Sequence, residues 1–242
     1  MRKCPIKGME WSWLYDHCRG GAGRCAIDMC FSATASFTAG VGLLAIGAIT
    51  TGRINRPAEL PFALIPVLFG VQQLIEGGLW LTFSDSALLG NSALTYIYSF
   101  FSHVLWPIYV PIAVLLLEPE AWRRKVLMAI ALAGAAVGLY LLYILVTEPI
   151  VSEVIGRHIS YQSPHFYTAV VMTLYVLATC VSSLVSSCKT IRWFGAATFV
   201  ALVTAYVFFD FWFISVWCFL AAILSMIVLF HFRRGESRLS PG

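Results

Sequence analysis

The chain has 242 residues, of which 60% are hydrophobic and 12% are charged, and its mean hydropathy is +0.82. A soluble domain carries roughly 25% charged residues, so this composition argues against a soluble protein. The net charge of +4 is small and comes from residues in loops, so it gives no evidence for nucleic-acid binding, and we expect no nucleic-acid partner. Long uncharged segments recur instead, and a helix of about 20 apolar residues is long enough to cross a lipid bilayer.

Seven apolar segments follow one another along the chain, and they do not alternate as the strands of a membrane barrel do. We interpret them as transmembrane helices, which predicts an all-α fold, a seven-helix bundle. The segments cover residues 32–50, 59–83, 93–117, 124–147, 164–187, 190–208 and 211–232. Only "FDF" separates the last two, so one broken helix is the alternative interpretation and would leave six spans.

Basic residues occur in alternate loops. The first, third and fifth loops and the C-terminal tail contain Arg53, Arg56, Arg123, Arg124, Lys125, Lys189, Arg192, Arg233, Arg234 and Arg238. The second and sixth loops contain none, and the fourth contains only Arg157. Because cytoplasmic loops carry an excess of Lys and Arg, the pattern predicts a first helix that begins outside and a cytoplasmic basic tail at 233–242.

The first 28 residues do not fit this topology. They contain five basic residues, Arg2, Lys3, Lys7, Arg19 and Arg24, yet they precede a helix that begins outside. They also lack the apolar core of a signal peptide. We interpret 1–28 as a non-native or disordered extension, with the native start at Met29 and a membrane domain at 29–232; an exported basic arm is the alternative.

Several stretches after Met29 carry a family resemblance. They are "MCFSATASFTAG" (29–40), "RPAELPFALIPVLFGVQQLIEGGLWL" (56–81), "SFFSHVLWPIYVPIAV" (99–114), "SPHFY" (163–167) and "SVWCFLAAILS" (215–225). In these the chain resembles an uncharacterised family of small bacterial integral membrane proteins that begin with an "MCFSATASF"-type sequence. The resemblance implies a multi-pass protein of the bacterial cytoplasmic (inner) membrane in contact with the lipid bilayer, and it supplies no activity.

Two ionisable residues lie well inside predicted spans. Glu76 is on the second span and His103 is on the third. Charged groups inside a membrane are costly, face the bundle interior and mark functional sites. At 1.5 Å per residue the two lie roughly 10 to 15 Å below the outer surface, so we predict that they pair in a polar pocket and serve as its acid and base.

Other polar residues surround this predicted pocket in the outer half of the bundle. The candidate ligand-binding residues are Gln72, Gln73, Ser99, Trp106, His165 and Asp210. Residues four apart share a helix face, which places Gln72 with Glu76 and Ser99 with His103. A purely structural Glu–His pair between two helices is the alternative to a binding site.

A metal site is a further hypothesis for the same pocket. If Met29 is the start and is removed, Cys30 becomes the N-terminal residue, and it would join Glu76, His103 and His165 as ligands. Thiolate, imidazole and carboxylate ligands together suit Zn or Cu. The alternative is that Cys30 is a small apolar residue at the membrane boundary.

Three functions follow from a pocket of this kind, and the residues leave them open. The first is a membrane-embedded, metal-dependent enzyme that uses Glu76 and His103. The second is a proton- or cation-coupled transporter, which needs a polar path through the inner half of the bundle. The third is a sensor or scaffold that binds a metal ion or small ligand without catalysis.

Overall fold

The computed structural model of the chain describes residues 32–83, 88–155, 158–162, 166, 168–208 and 212–233. The predicted extension at 1–28 and the tail beyond Arg233 lie outside these residues. The elements are α1 (Ala33–Thr51), α2 (Pro57–Thr82), α3 (88–117), α4 (Ala121–Thr147), β1 (Val151–Ile155), β2 (His158–Gln162), α5 (Ala169–Val185), α6 (Lys189–Phe208) and α7 (Phe213–Arg233). The fold is therefore helical, as predicted, and each of the seven predicted segments corresponds to one helix.

Six of these helices are long and apolar enough to cross a membrane, whereas α5 is apolar but shorter. The chain is thus a multi-pass membrane protein by the length and composition of its helices. The alternative of one broken helix at the end is not realised, because α6 packs against both parts of α7, Phe213–Leu224 and Ile227–Arg233.

The chain loops lie alternately at two ends of the bundle. At one end, the side chain of Glu118, between α3 and α4, accepts a hydrogen bond of 2.7 Å from the backbone N–H of Ser187, between α5 and α6. At the same end, the ring of His231 near the end of α7 lies 5.5 Å from that of Phe62 near the start of α2. Consecutive helices therefore run in opposite directions.

At the other end, the chain between α4 and α5 forms an antiparallel hairpin of β1 and β2. Ser152 on β1 lies 2.6 Å from Thr95 on α3, hydroxyl to hydroxyl. Ile159 and Tyr161 on β2 are buried. The hairpin therefore covers this end of the bundle, and α5 begins at Ala169 rather than near residue 164.

The first two helices pack very closely because glycines line their contact. A Cβ atom added at Gly40 would lie 2.7 Å from the side chain of Leu74 and 3.0 Å from the carbonyl oxygen of Gly70. Small residues permit this approach of two backbones inside a membrane. Helix α2 is held against α1 in this way, and its opposite face is free to point toward α3 and α7.

Helix α3 contains a π-helical segment, Phe100–Leu105, just before Pro107. The backbone N–H of Trp106 bonds to the carbonyl of Phe101, five residues back, and the next bond in that register would need an N–H on Pro107, which proline lacks. The carbonyl of Ser102 is thereby released, and the hydroxyl of Tyr175 on α5 donates to it. A proline thus ties α3 to α5 through a side chain.

Candidate functional site

Three polar side chains on one face of α2 are enclosed by the bundle. Gln72 and Gln73 are 0% exposed and Glu76 is 2% exposed. One carboxylate oxygen of Glu76, Oε1, accepts a hydrogen bond of 2.6 Å from the hydroxyl of Ser215 on α7. The other, Oε2, accepts a longer bond of 3.3 Å from the amide nitrogen of Gln73. Glu76 is therefore held between two helices.

Gln72 is fixed by an aromatic residue from α3. Its Oε1 atom accepts a hydrogen bond of 2.8 Å from the indole Nε1–H of Trp106. That indole stacks on Phe69, one turn before Gln72, at 3.8 Å between ring centroids. The amide nitrogen of Gln72 points toward the buried thiol of Cys218 on α7. Gln72 and Trp106 were both predicted for the pocket, and the structure brings them together.

Two stacked tyrosines complete the surroundings of Glu76. The rings of Tyr98 on α3 and Tyr161 on β2 lie 4.5 Å apart and nearly parallel, at 5°. The hydroxyl of Tyr98 is near enough to Glu76, Cys218 and Tyr161 to interact electrostatically with each, but no pair has hydrogen-bond geometry. Burial, together with the nearby Glu76 and Cys218, raises the pKa of Tyr161 well above its usual value, so its hydroxyl keeps its proton.

Within the described part of the chain, four buried polar atoms around Glu76 have no hydrogen-bond partner. They are the Nε2 of Gln72, the Oε1 of Gln73 and the hydroxyls of Tyr98 and Tyr161. Each unsatisfied buried group costs about 1–3 kcal/mol, and such groups are rare in folded proteins. The set offers N–H and O–H donors beside carboxylate and carbonyl acceptors. We refer to these residues, with Glu76, Ser215 and Cys218, as the Glu76 cluster.

His103 does not belong to the Glu76 cluster, and the predicted Glu76–His103 pair is not formed. Its Nδ1 atom lies 2.7 Å from the hydroxyl of Ser102, and its ring lies 4.4 Å from that of Phe166. The physical reason is the π-helical segment that contains His103, because its wider turn changes the helical phase on which the prediction relied.

Two further atoms on α3 are buried without a hydrogen-bond partner in the described part of the chain. They are the hydroxyl of Ser99 and the Nε2 atom of His103. Among the described residues, no hydrogen bond joins Ser99 to Glu76, and no hydrogen bond or ion pair joins the predicted acid to the predicted base.

A small cavity of about 30 Å³ adjoins the Glu76 cluster inside the bundle. Trp106 and Cys218 line the side of the cavity next to the Glu76 cluster, and Thr179 and Thr198 line the opposite side. Space of this size holds about one or two water molecules. Both threonine hydroxyls donate to carbonyls of their own helices, so the remaining lining is largely apolar.

Three of the predicted site residues, Cys30, His165 and Asp210, lie outside the described residues. Within the described ranges, no group of three or more His, Cys, Asp or Glu side chains is arranged to hold a metal ion. Of the four predicted Zn or Cu ligands, Glu76 and His103 are described, and no hydrogen bond or ion pair joins them. The geometry of the described residues therefore adds no support to the metal hypothesis.

Sequence reasoning missed four of the seven residues of the Glu76 cluster, namely Ser215, Tyr98, Tyr161 and Cys218. Ser215 and Cys218 are three residues apart and lie on one face of α7. Apart from the Trp217 indole, theirs are the only polar side-chain groups in the apolar stretch "FISVWCFLAAIL". That spacing was the available signal for α7. Tyr161 carried no signal of its own, because its position depends on the hairpin.

Comparison with known proteins bears on the family and not on the activity. A model of a protein family described as a family of unknown function (DUF6629) matches residues 29–240. No curated protein matches the chain, and no solved structure does. The match covers all seven helices and begins at Met29, which the sequence resemblance predicted. The chain therefore belongs to DUF6629, a family of unknown function.

Proposed function

We propose that this protein spans the bacterial inner membrane seven times and binds a small polar ligand at the Glu76 cluster, in the extracytoplasmic half of the bundle. In this proposal the C-terminus is cytoplasmic and the first helix begins outside. The proposal assigns the protein a sensing or receptor role rather than a catalytic one.

The alternation of helix direction supports seven spans. Helix α5 has 17 residues, about 25 Å at 1.5 Å per residue, which is slightly shorter than the roughly 30 Å of a hydrocarbon core. Helix α5 packs against both α4 and α6, and the residues that flank it can supply the remaining length. If α5 crosses the membrane, the observed directions of α4 and α6 are accounted for.

The distribution of charge supports the orientation. The end of the bundle that carries Glu118 and Ser187 also carries Arg123, whose guanidinium donates a hydrogen bond of 2.6 Å to the carbonyl of Val185. Arg53 in the first loop and Lys125 near the start of α4 also lie at this end, which is the cytoplasmic end by the excess of Lys and Arg. The hairpin and the Glu76 cluster then lie toward the outer face.

The observation that carries the ligand proposal is the set of unpartnered polar atoms around Glu76. A folded protein leaves such atoms buried when a ligand or an ordered water satisfies them. The acceptors of Glu76 and Gln73 suit a ligand with N–H or O–H groups or a positive charge. The hydroxyls of Tyr98 and Tyr161 suit an acceptor on the same ligand, so a small amine or polyhydroxy compound fits the arrangement.

The enzyme and transporter alternatives have less support. The enzyme hypothesis used Glu76 and His103 as neighbouring acid and base, and the two side chains have separate partners. The transporter hypothesis needs a polar path inward, but the cavity beside Cys218 is small and its threonine hydroxyls are engaged by their own helices. A sensor needs only a binding site and a change in packing on binding.

Chemical analysis of the purified protein tests the proposal. We would purify the protein in mild detergent without chelator, release bound small molecules by denaturation, and measure them by mass spectrometry together with Zn and Cu. The variants are Glu76→Gln and a matched control, Glu118→Gln, which changes a buried carboxylate at the other end of the bundle. We expect a small polar compound in the wild type and in Glu118→Gln, and its loss in Glu76→Gln.

Two other outcomes decide against parts of the proposal. Equal amounts of the compound in Glu76→Gln and the wild type would contradict a ligand site at Glu76. Stoichiometric Zn or Cu that disappears in Glu76→Gln and in His103→Ala would replace the ligand proposal with the metal site predicted from the sequence.

A further inference from the structure

An open groove of about 490 Å³ runs beside the first turns of α6. It is lined by Leu184 near the end of α5 and by Lys189, Arg192, Trp193 and Ala196 on α6. The four α6 residues are spaced by three, one and three positions, which places them on one face of the helix. The groove is thus a single surface shared by two neighbouring helices.

The groove is positively charged and its cations have no acidic partner in the described residues. The one ion pair in the described residues joins Arg56 to Glu59, in the first loop and away from the groove. Among the residues that the structure describes, Lys189 and Arg192 make no such pair and no acidic side chain lines the groove. The N-terminal end of α6 adds a partial positive charge of its own. An anion would therefore be favourable at this position.

The rest of the groove is apolar and faces outward from the bundle. Trp193 is 70% exposed and Leu184 is 38% exposed. Exposed tryptophan is typical of the boundary between lipid headgroups and hydrocarbon. A free phosphate ion would use the two cations and leave the Trp193 and Leu184 surfaces unused. A phosphate that carries acyl chains would use both.

We propose that this groove binds an anionic phospholipid. Its phosphate lies between Lys189 and Arg192, and its glycerol backbone and acyl chains run along Trp193, Leu184 and Ala196. Basic pockets between helices on the cytoplasmic side of a membrane are suited to such headgroups. The proposal rests on the insertion of the bundle in a membrane, and it is independent of the ligand at Glu76.

The test measures lipid binding to the whole protein in detergent. Phosphatidylglycerol or phosphatidylcholine is titrated while thermal unfolding is followed, and bound lipids are counted by native mass spectrometry. The test variant is Lys189→Gln with Arg192→Gln. The matched control is Arg124→Gln with Lys125→Gln, which removes an exposed basic pair at the same end of the bundle. Glycerol 3-phosphate serves as a headgroup without acyl chains.

We expect phosphatidylglycerol to stabilise the wild type and the control, and phosphatidylcholine to stabilise neither. Each cation near an anionic headgroup contributes about 1 kcal/mol, so the test variant should bind phosphatidylglycerol roughly tenfold to thirtyfold more weakly. Glu76→Gln should bind it as the wild type does, which separates this site from the proposed function.

Three results would overturn the proposal. An equal loss in the control would show non-specific attraction to the basic end of the bundle. An equal shift with glycerol 3-phosphate would show a free phosphate site. Unchanged affinity in the test variant would exclude the groove. If the double variant does not fold, Arg192→Gln and Trp193→Ala are measured singly, and each must weaken phosphatidylglycerol binding.

Discussion

The hydroxyl of Ser215 donates a 2.6 Å hydrogen bond to the carboxylate of Glu76, and it joins α7 to α2 across the interior of the bundle. The two residues are 139 positions apart in the chain. Both are buried, so the bond lies where water does not compete. Leaving a buried acceptor without its donor costs about 1–3 kcal/mol, more than most single contacts between membrane helices contribute. Glu76 is tolerated in α2 because α7 supplies this donor.

Ser215→Ala should therefore lower the free energy of unfolding by about 1–3 kcal/mol. In a double-mutant cycle with Glu76→Gln, measured by unfolding in detergent, the two losses should be non-additive, since each variant removes the same bond. Ser225→Ala is the control on the same helix, because the Ser225 hydroxyl bonds only to the carbonyl of Ala222 in its own helix. Additive losses for Ser215 and Glu76 would contradict the contact.

A second cycle tests the correction to the sequence prediction. Glu76→Gln and His103→Ala should be additive, because the two side chains have different partners. Strong coupling between them would restore the predicted pair.

Replacement of two buried tyrosines, Tyr161 and Tyr175, by Phe should have different effects on the free energy of unfolding. Tyr161→Phe removes a buried hydroxyl without a partner and keeps the ring that stacks on Tyr98, so the stability of the ligand-free protein should be unchanged or slightly higher. Tyr175→Phe removes the donor to the released carbonyl of Ser102 and should cost about 1–3 kcal/mol. Both are measured by chemical unfolding in detergent. A larger loss for Tyr161→Phe than for Tyr175→Phe would contradict these assignments.

Much of the fold could be predicted from the sequence because hydrophobicity and loop charge act locally. The positions of α1 to α7 and the burial of Gln72, Gln73 and Glu76 follow from the cost of exposing polar groups to lipid. A polar triplet inside an apolar helix has to face other helices. The prediction of a polar cluster on α2 therefore needed no knowledge of its partners.

The partners themselves depend on packing and on departures from regular helix geometry. Ser215 was missed since a single serine in an apolar helix fits equally well as a packing residue. His103 was misplaced because Pro107 and the π-helical segment before it alter the helical phase. The hairpin was not predicted, although "VSEVI" and "HISYQ" together contain four β-branched residues and a tyrosine around a Gly-Arg pair, and two such short segments separated by a Gly-containing turn indicate a hairpin.

Helix contacts in the middle of the bundle predict a difference between two glycines. A Cβ atom at Gly134 on α4 would overlap the carbonyl oxygen of Pro107 and lie 3.0 Å from the Cβ of Ala178. Backbone cannot move aside as a flexible side chain can, so Gly134→Ala should destabilise by about 1–3 kcal/mol, as overpacking does. At Gly42 a Cβ would meet nothing within 4 Å, and Gly42→Ala should be neutral or stabilising by up to about 1 kcal/mol. Equal effects in thermal unfolding would contradict this packing.

Three described thiols, on α5, just before α6 and on α7, differ in access, and labelling should rank them. Cys180 and Cys218 are buried, whereas Cys188 is partly exposed just before α6. Its Sγ atom lies 3.4 Å from the Nδ1 atom of His231, where the imidazole can take the thiol proton as the sulfur attacks an electrophile. With a maleimide at neutral pH, and peptides read by mass spectrometry, Cys188 should react well before Cys180 and Cys218.

The role of the imidazole is tested separately from access. His231→Gln keeps a polar side chain but removes the base, and it should slow the labelling of Cys188 several-fold while the unfolding temperature stays close to that of the wild type. An unchanged rate in His231→Gln would leave access alone as the reason for the reactivity of Cys188. Fast labelling of Cys180 in the folded protein would mean that the contact between α5 and α6 opens on the time scale of the reaction, since the Cys180 thiol is otherwise enclosed.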